Sequence, residues 1–141
     1  MRDVNVRKLM SVEEYETVFQ LVSVIEGDLD ATSPPTAALS RSLPPGSMTG
    51  APKKRSCELL KMVENVDRPR GLYSGVLGYL DVGGGGDFSV VIRTAFKWKD
   101  EGDCWRVGAG GAVTALSEPE AEWEEMLAKR QSVLDVLLAS Q

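Results

Sequence analysis

The stretch Leu43–Arg55, Leu-Pro-Pro-Gly-Ser-Met-Thr-Gly-Ala-Pro-Lys-Lys-Arg, limits the possible folds more than any other part of the chain. Two prolines stiffen its entry. Gly46 and Gly50 free the backbone to turn sharply and let a ligand come close. Ser47 or Thr49 is placed to cap the helix that follows, and Pro52 suits that helix's first turn. Lys53, Lys54 and Arg55 then crowd the positive end of the helix dipole. Each costs about 0.3–1 kcal/mol there unless an anion sits opposite. Capping hydroxyls, free N–H groups and three cations at one helix start describe an anion site. They describe equally a capped surface helix whose cations are solvated.

A length of 141 residues with 43% hydrophobic content suits one domain with a real core. The net charge of −5 argues against a general nucleic-acid binder. No apolar run reaches the roughly 18 residues of a membrane span, and the first residues lack the apolar core of a secretory signal. Cys57 and Cys104 are too few for a disulfide framework, so reduced thiols in a cytoplasmic protein are expected. The sequence has no histidine. That removes every histidine-based triad and the commonest metal ligand. A metal here must be held by carboxylate oxygen, which favours Mg²⁺.

In chain order, Val4–Met10 reads as an extended entry. Ser11 with Glu14 makes a capping-box pattern for a brief helix over Val12–Glu16. Thr17–Glu26 is rich in β-branched residues and apolar on both faces, which predicts a strand buried on both sides. Gln20 is then an inside polar group, a satisfied core amide or a ligand contact. Ala31–Ala37 is a Pro/Ser/Thr loop. The helix after Pro52 places Leu59, Leu60, Val63 and Val66 at helical spacing, and Asp67–Gly71 ends it.

Two strands follow, Leu72–Val82 and Asp87–Trp98, joined by a hairpin tip at Gly83–Gly86. The tip is not a phosphate loop, because no helix follows it and the G-x-x-x-x-G-K pattern is absent. Alternation places Arg93 mid-strand, where a guanidinium needs a structural or a bound carboxylate. Asp100–Asp103 is a turn and Cys104–Val107 a strand. The run Gly108-Ala-Gly-Gly111 can form a weak anion-binding nest. Ser117 with Glu120, and Pro119, start a long helix from about Glu118 to Leu138. Met126, Val133, Leu134 and Leu137 are its apolar side. Glu122, Glu125 and Lys129 share one face, either as a solvated Glu125–Lys129 pair worth about 0.2–0.5 kcal/mol or as a carboxylate pair for Mg²⁺.

Several blocks together resemble the chorismate-utilising enzyme family. They are Pro44-Pro-Gly-Ser-Met-Thr-Gly-Ala-Pro-Lys53, Tyr73-Ser-Gly with Gly78-Tyr79, and Ser89-Val-Val-Ile-Arg-Thr94. Gly108-Ala-Gly-Gly111 and Glu122-x-x-Glu125-x-x-x-Lys129 complete the set. They stand in the family's order at close to its spacing. With Lys54-Arg-Ser-Cys-Glu58 and Trp105-Arg-Val-Gly108, they are most similar to the aminodeoxychorismate synthase branch of fungal or plant type. Anthranilate synthase component I and isochorismate synthase are the neighbouring alternatives.

The resemblance implies an α+β fold. It would be the C-terminal part of the chorismate-binding, anthranilate synthase component I-like domain, a largely antiparallel sheet with packed helices. Residues 1–141 would form a single partial domain. The implied reaction is amination of chorismate at C4 with glutamine-derived ammonia, toward p-aminobenzoate and folate. The implied metal is Mg²⁺ on Glu122 and Glu125, with Glu125 ahead as direct ligand. Arg93, Tyr73 and the N–H groups of Gly110 and Gly111 match the cradle of the enolpyruvyl carboxylate. Thr49 and Gly50 match the turn lining the ring side. Lys129 matches a lysine whose charge offsets the crowded carboxylates.

Two departures stand out. Gln20 occupies a position where the family often has a histidine as acid or donor. The family's upstream lysine block, catalytic glutamate and other metal-binding acidic cluster have no match. The implied partners are therefore the N-terminal part of the same domain and a glutamine amidotransferase, with no nucleic acid and no membrane. A fragment of this kind is expected to be inactive alone. A reading of another class is a non-catalytic remnant that binds an anion or a protein.

Overall fold

The computed structural model describes residues 2–64 and 70–139. The architecture is mixed α+β, with two-stranded antiparallel sheets and helices among the described residues. The chain divides into two compact units, Met1–Leu43 and Pro44–Gln141.

The first unit is a long hairpin and a helix. Strand β1 (Arg2–Glu14) pairs antiparallel with β2 (Phe19–Asp28). The helix expected over Val12–Glu16 is instead the end of β1, through Glu14, and the start of the hairpin turn. Its residues find better partners across the hairpin than along the chain. Ser11 lies opposite Val22, Glu13 opposite Gln20 and Glu14 opposite Phe19. The Glu13 carboxylate accepts from Lys8 Nζ at 2.6 Å and from Tyr15 Oη at 2.9 Å. The turn closes with Tyr15 N–H donating to the Val18 carbonyl at 2.9 Å.

Strand β2 is not buried on both sides. It sits in a two-stranded sheet, and Phe19 and Leu21 are 70% and 67% exposed. Gln20 is likewise exposed and is not a core amide. Helix α1 (Pro35–Ser42) begins inside the segment read as a loop, with Pro34 at its cap and Pro35 in its first turn. That is the helix position proline tolerates.

The second unit opens with the one-turn helix α2 (Gly46–Thr49) and then α3 (Lys53–Val63). Pro52 itself occupies the α3 cap, and no side chain caps that helix. Neither Ser47 nor Thr49 is its cap. The Thr49 hydroxyl turns back to the Pro45 carbonyl at 3.1 Å. The half-buried side of α3 is Ser56, Cys57 and Leu60, while Leu59 and Val63 are exposed. Helix α3 closes at Val63, and Glu64 N–H donates to the Leu60 carbonyl. Val66 and the expected ending at 67–69 lie outside the described residues.

Strands β3 (Val76–Leu80) and β4 (Gly86–Val90) form the central hairpin. Asp81 fastens its glycine tip. The Asp81 N–H donates to the Gly85 carbonyl at 2.9 Å, and Asp81 Oδ1 accepts from Gly85 N–H at 3.1 Å. The expected long strand over 87–98 breaks after Val90. Arg93 adopts φ +48° and is not mid-strand. The chain resumes as β5 (Ala95–Phe96), a short 3₁₀ turn (Lys99–Glu101) and β6 (Arg106–Val107), which pairs with β5. The closing helix α4 (Pro119–Ala139) runs as the sequence predicts, with Met126, Val133, Leu134 and Leu137 half-buried.

Among the described residues the buried core is small: Val91, 7% exposed, and Ser74, 8% exposed. They are joined directly, Ser74 N–H to the Val91 carbonyl at 3.0 Å. Large apolar side chains such as Leu9, Val12, Phe19, Leu21 and Leu77 remain exposed. Exposed apolar strands in two-stranded sheets favour strand-to-strand association. The 141-residue chain by itself is therefore expected to self-associate and to melt without a sharp transition. Size-exclusion chromatography with light scattering and a thermal melt check this; a monodisperse monomer with a cooperative melt contradicts it. No described helix is long and apolar enough to cross a membrane.

Candidate active site

A cavity of about 770 Å³ lies in the second unit. It draws its lining from α2, α3, the turn before β3, the break after β4, the glycine run after β6, and α4. Thr49, Gly50, Tyr73, Arg93, Gly110, Gly111 and Lys129 all line it. Residues separated by up to 80 positions thus meet at one cavity, while Glu122 and Glu125 stand behind its glycine run and are not in the lining. Lys53, Lys54 and Arg55 are not in the lining, and Arg55 pairs with Glu58 at 3.3 Å.

Two glycine-dependent approaches shape the wall. Gly50 has φ +94°, a conformation that disfavours any side chain, and its N–H closes the α2 turn on the Gly46 carbonyl at 2.7 Å. The Tyr73 side chain lies along the glycine run, its ring base at Gly108 and its hydroxyl at Gly110. A Cβ on Gly108 would lie 2.3 Å from ring carbons, and one on Gly110 would lie 2.8 Å from the phenolic oxygen. Gly108→Ala is therefore expected to expel the ring and destabilise by about 1–3 kcal/mol, the usual cost of overpacking. A thermal melt of the variant beside Tyr73→Phe checks this; an unchanged melting temperature contradicts it.

The α4 carboxylates converge on the same glycine run. A Cβ on Gly111 would stand 2.9 Å from Glu122 Oε2 and 3.5 Å from Glu125 Oε2. The other oxygen of each is engaged. Glu122 Oε1 accepts from the Ser117 hydroxyl at 2.6 Å, and Glu125 Oε1 pairs with Lys129 Nζ at 3.0 Å. Ser117 thus serves Glu122, not the Glu120 of the expected capping box. Glu122 Oε2 is buried without a hydrogen-bond partner. A buried carboxylate oxygen left open beside a second one suits a hard cation with oxygen ligands. The described residues contain no cluster of three or more such ligand side chains. A cation held here would have these two carboxylates alone from the described side chains, a set that Mg²⁺ tolerates when water fills the rest of its shell.

Arg93 extends from the break between β4 and β5, exposed at the cavity rim. It is not half-buried in a sheet as expected, and no carboxylate pairs with it among the described residues. Gln20 belongs to the first unit and is not in the lining. Two charged lining residues escaped the motif reading, Glu64 and Arg70. Arg70 Nε donates to Glu64 Oε2 at 2.6 Å, and its Nη2 engages Glu64 Oε1. This fork holds the Glu64 carboxyl below the usual carboxylate range and raises Arg70. Their signal in sequence is faint, since neither belongs to a spaced motif.

Comparison with known proteins identifies the family of the chain. Residues 1–135 match the family described as chorismate binding enzyme. A putative aminodeoxychorismate synthase of Schizosaccharomyces pombe is 53% identical over 93% of this chain. The aminodeoxychorismate synthase of Saccharomyces cerevisiae is 46% identical over 96% of it. The match covers 18% and 19% of those proteins, so the chain spans less than a fifth of their length. The crystal structure of anthranilate synthase component I from Streptococcus pneumoniae superposes with a TM-score of 0.76 at 31% identity, over 92% of this chain and 29% of that one. With seven of its motif residues gathered around one cavity and the family match running from 1 to 135, this chain belongs to the chorismate-binding enzyme family.

Proposed function

We propose that these residues are the C-terminal segment of an aminodeoxychorismate synthase, working with the rest of the chorismate-binding domain. The single observation that carries the reading is the convergence of Glu122 Oε2 and Glu125 Oε2 on Gly111, a glycine that lines the same cavity as Arg93 and Lys129. Chorismate carries two carboxylates. One carboxylate would meet the Arg93 guanidinium, the Tyr73 hydroxyl and the N–H groups of Gly110 and Gly111. The other would lie toward Glu122 and Glu125, which would hold Mg²⁺. When bound, that ion supplies Lewis-acid polarisation and offsets the charge of the ring carboxylate and of the departing hydroxyl. Thr49 and Gly50 would orient the ring. Lys129, next to Glu125, offsets the excess of negative charge. In the overall change the C4–O bond breaks, a C4–N bond to ammonia forms, and water leaves. A glutamine amidotransferase would supply the ammonia. A cytoplasmic location accords with two free cysteines, although a relative from Arabidopsis thaliana is named chloroplastic.

The structural likeness to anthranilate synthase component I favours anthranilate formation as the second reading. Product identity separates the two. The chain is to be incubated with chorismate, Mg²⁺ and ammonium salt, alone and together with the remainder of the domain. Chromatography then follows aminodeoxychorismate and anthranilate. The chain alone is expected to give no turnover, and the assembled enzyme to give aminodeoxychorismate. Turnover proportional to the isolated chain contradicts the first expectation. Anthranilate as product overturns the assignment, and a chain that binds but never contributes to turnover supports the non-catalytic remnant.

A further inference from the structure

We propose that Arg70 and Glu64 form a clasp that positions the two substrate-facing turns of the cavity, Met48–Gly50 and Tyr73; the proposal rests on the chorismate-enzyme reading above. Arg70 Nη1 donates to the Met48 carbonyl at 3.2 Å and to Ser74 Oγ at 2.9 Å, while its other edge is forked onto Glu64. One side chain thus ties the end of α3, the α2 turn and the turn before β3 together. Ser74 is held at φ +71° although it is not glycine, and it is buried. Such a conformation persists only where the surroundings over-determine it. Here the fastenings are the Arg70 contact and the backbone bond to Val91. Tyr73 directly precedes Ser74, so the clasp fixes where its ring meets Gly108 and Gly110.

Arg70 lines the cavity, yet its fork already holds a carboxylate. A substrate anion would have to displace Glu64 to use it, whereas Arg93 has no such competitor among the described residues. Arg70 therefore acts through the loops it holds and not on the substrate, and Glu64 keeps it in that role.

The test uses the assembled enzyme and the variants Arg70→Lys, Glu64→Gln and Ser74→Ala, with Arg93→Lys as a control. Loosened binding loops raise KM more than they lower kcat, so Arg70→Lys and Glu64→Gln should each raise the chorismate KM by about tenfold with kcat within about threefold. Ser74→Ala, which removes one arm, should raise it by less. Circular dichroism and a melt identify a variant that has failed to fold, and the other two then decide. A lower KM in Glu64→Gln overturns the clasp, because it makes Arg70 a substrate anchor that Glu64 restrains. Unchanged KM with only a lower melting temperature also overturns it. If Arg93→Lys alone has no effect, the active-site reading fails. If Arg93→Lys is impaired while the other three are normal, only the clasp fails.

Discussion

Glu122→Gln in the assembled enzyme is expected to lose its response to Mg²⁺ and to lower turnover on the order of 10³-fold, several kcal/mol of lost charge stabilisation. Glutamine keeps the shape and leaves an oxygen to accept from Ser117 Oγ. It places an amide nitrogen where Glu122 Oε2 lies buried without a partner. An unsatisfied buried oxygen costs about 1–3 kcal/mol, more if charged, so removing its charge should not weaken the fold. The expectation is loss of function with equal or higher melting temperature. A second readout needs no turnover: Mg²⁺ should raise the melting temperature of the parent enzyme through binding linkage and leave that of Glu122→Gln unmoved. Should the glutamine variant melt lower and still respond to Mg²⁺, the carboxylate is a structural partner of Ser117 and not a metal ligand. Glu125→Gln is expected to lose the Mg²⁺ response as well, and it also removes the ion pair of its exposed carboxylate with Lys129.

Helix α4 was legible because a proline start and an apolar side at helical spacing act within one segment. Its residues need no distant information to be placed. The hairpins were legible as pairs of strands, but not in their extent or burial. The 11–14 segment carries a local helix signal that cross-strand partners at 19–22 overrule, and those partners cannot be seen from spacing. Apolar content on both faces of 17–26 predicts burial, yet content states only what a strand could bury. Arg93 shows the same gap from the other side. Alternation of Phe88, Val90, Ile92 and Thr94 continues through a point where the backbone turns to positive φ, so periodicity alone kept it in the sheet. The site itself was legible mainly through the joint order of motif blocks. The Glu64–Arg70 pair was not, because a clasp between two turns leaves no periodic trace.

Arg93→Lys is the second large effect expected. A guanidinium grips a carboxylate through two parallel N–H bonds, and an ammonium offers a point charge on a flexible stem. Charge is conserved in this change and fork geometry is lost. Arg93 is free to be read this way because the structure removes its structural explanation. It lies outside the strands, at φ +48°, on the cavity rim, with no carboxylate partner among the described residues. A non-glycine residue at positive φ is strained by about 1–3 kcal/mol, and such strain tends to sit where a side chain must be aimed. Once substrate and the rest of the domain exclude water, loss of the fork should cost about 2–5 kcal/mol in transition-state binding, as for a desolvated charge pair losing its partner. The measurement is kcat/KM for chorismate in the assembled enzyme, with Arg93→Gln as the charge-free comparison. Lysine is expected to fall closer to glutamine than to arginine. Parent-like efficiency in the lysine variant would make Arg93 a surface charge and overturn the active-site reading of this cavity.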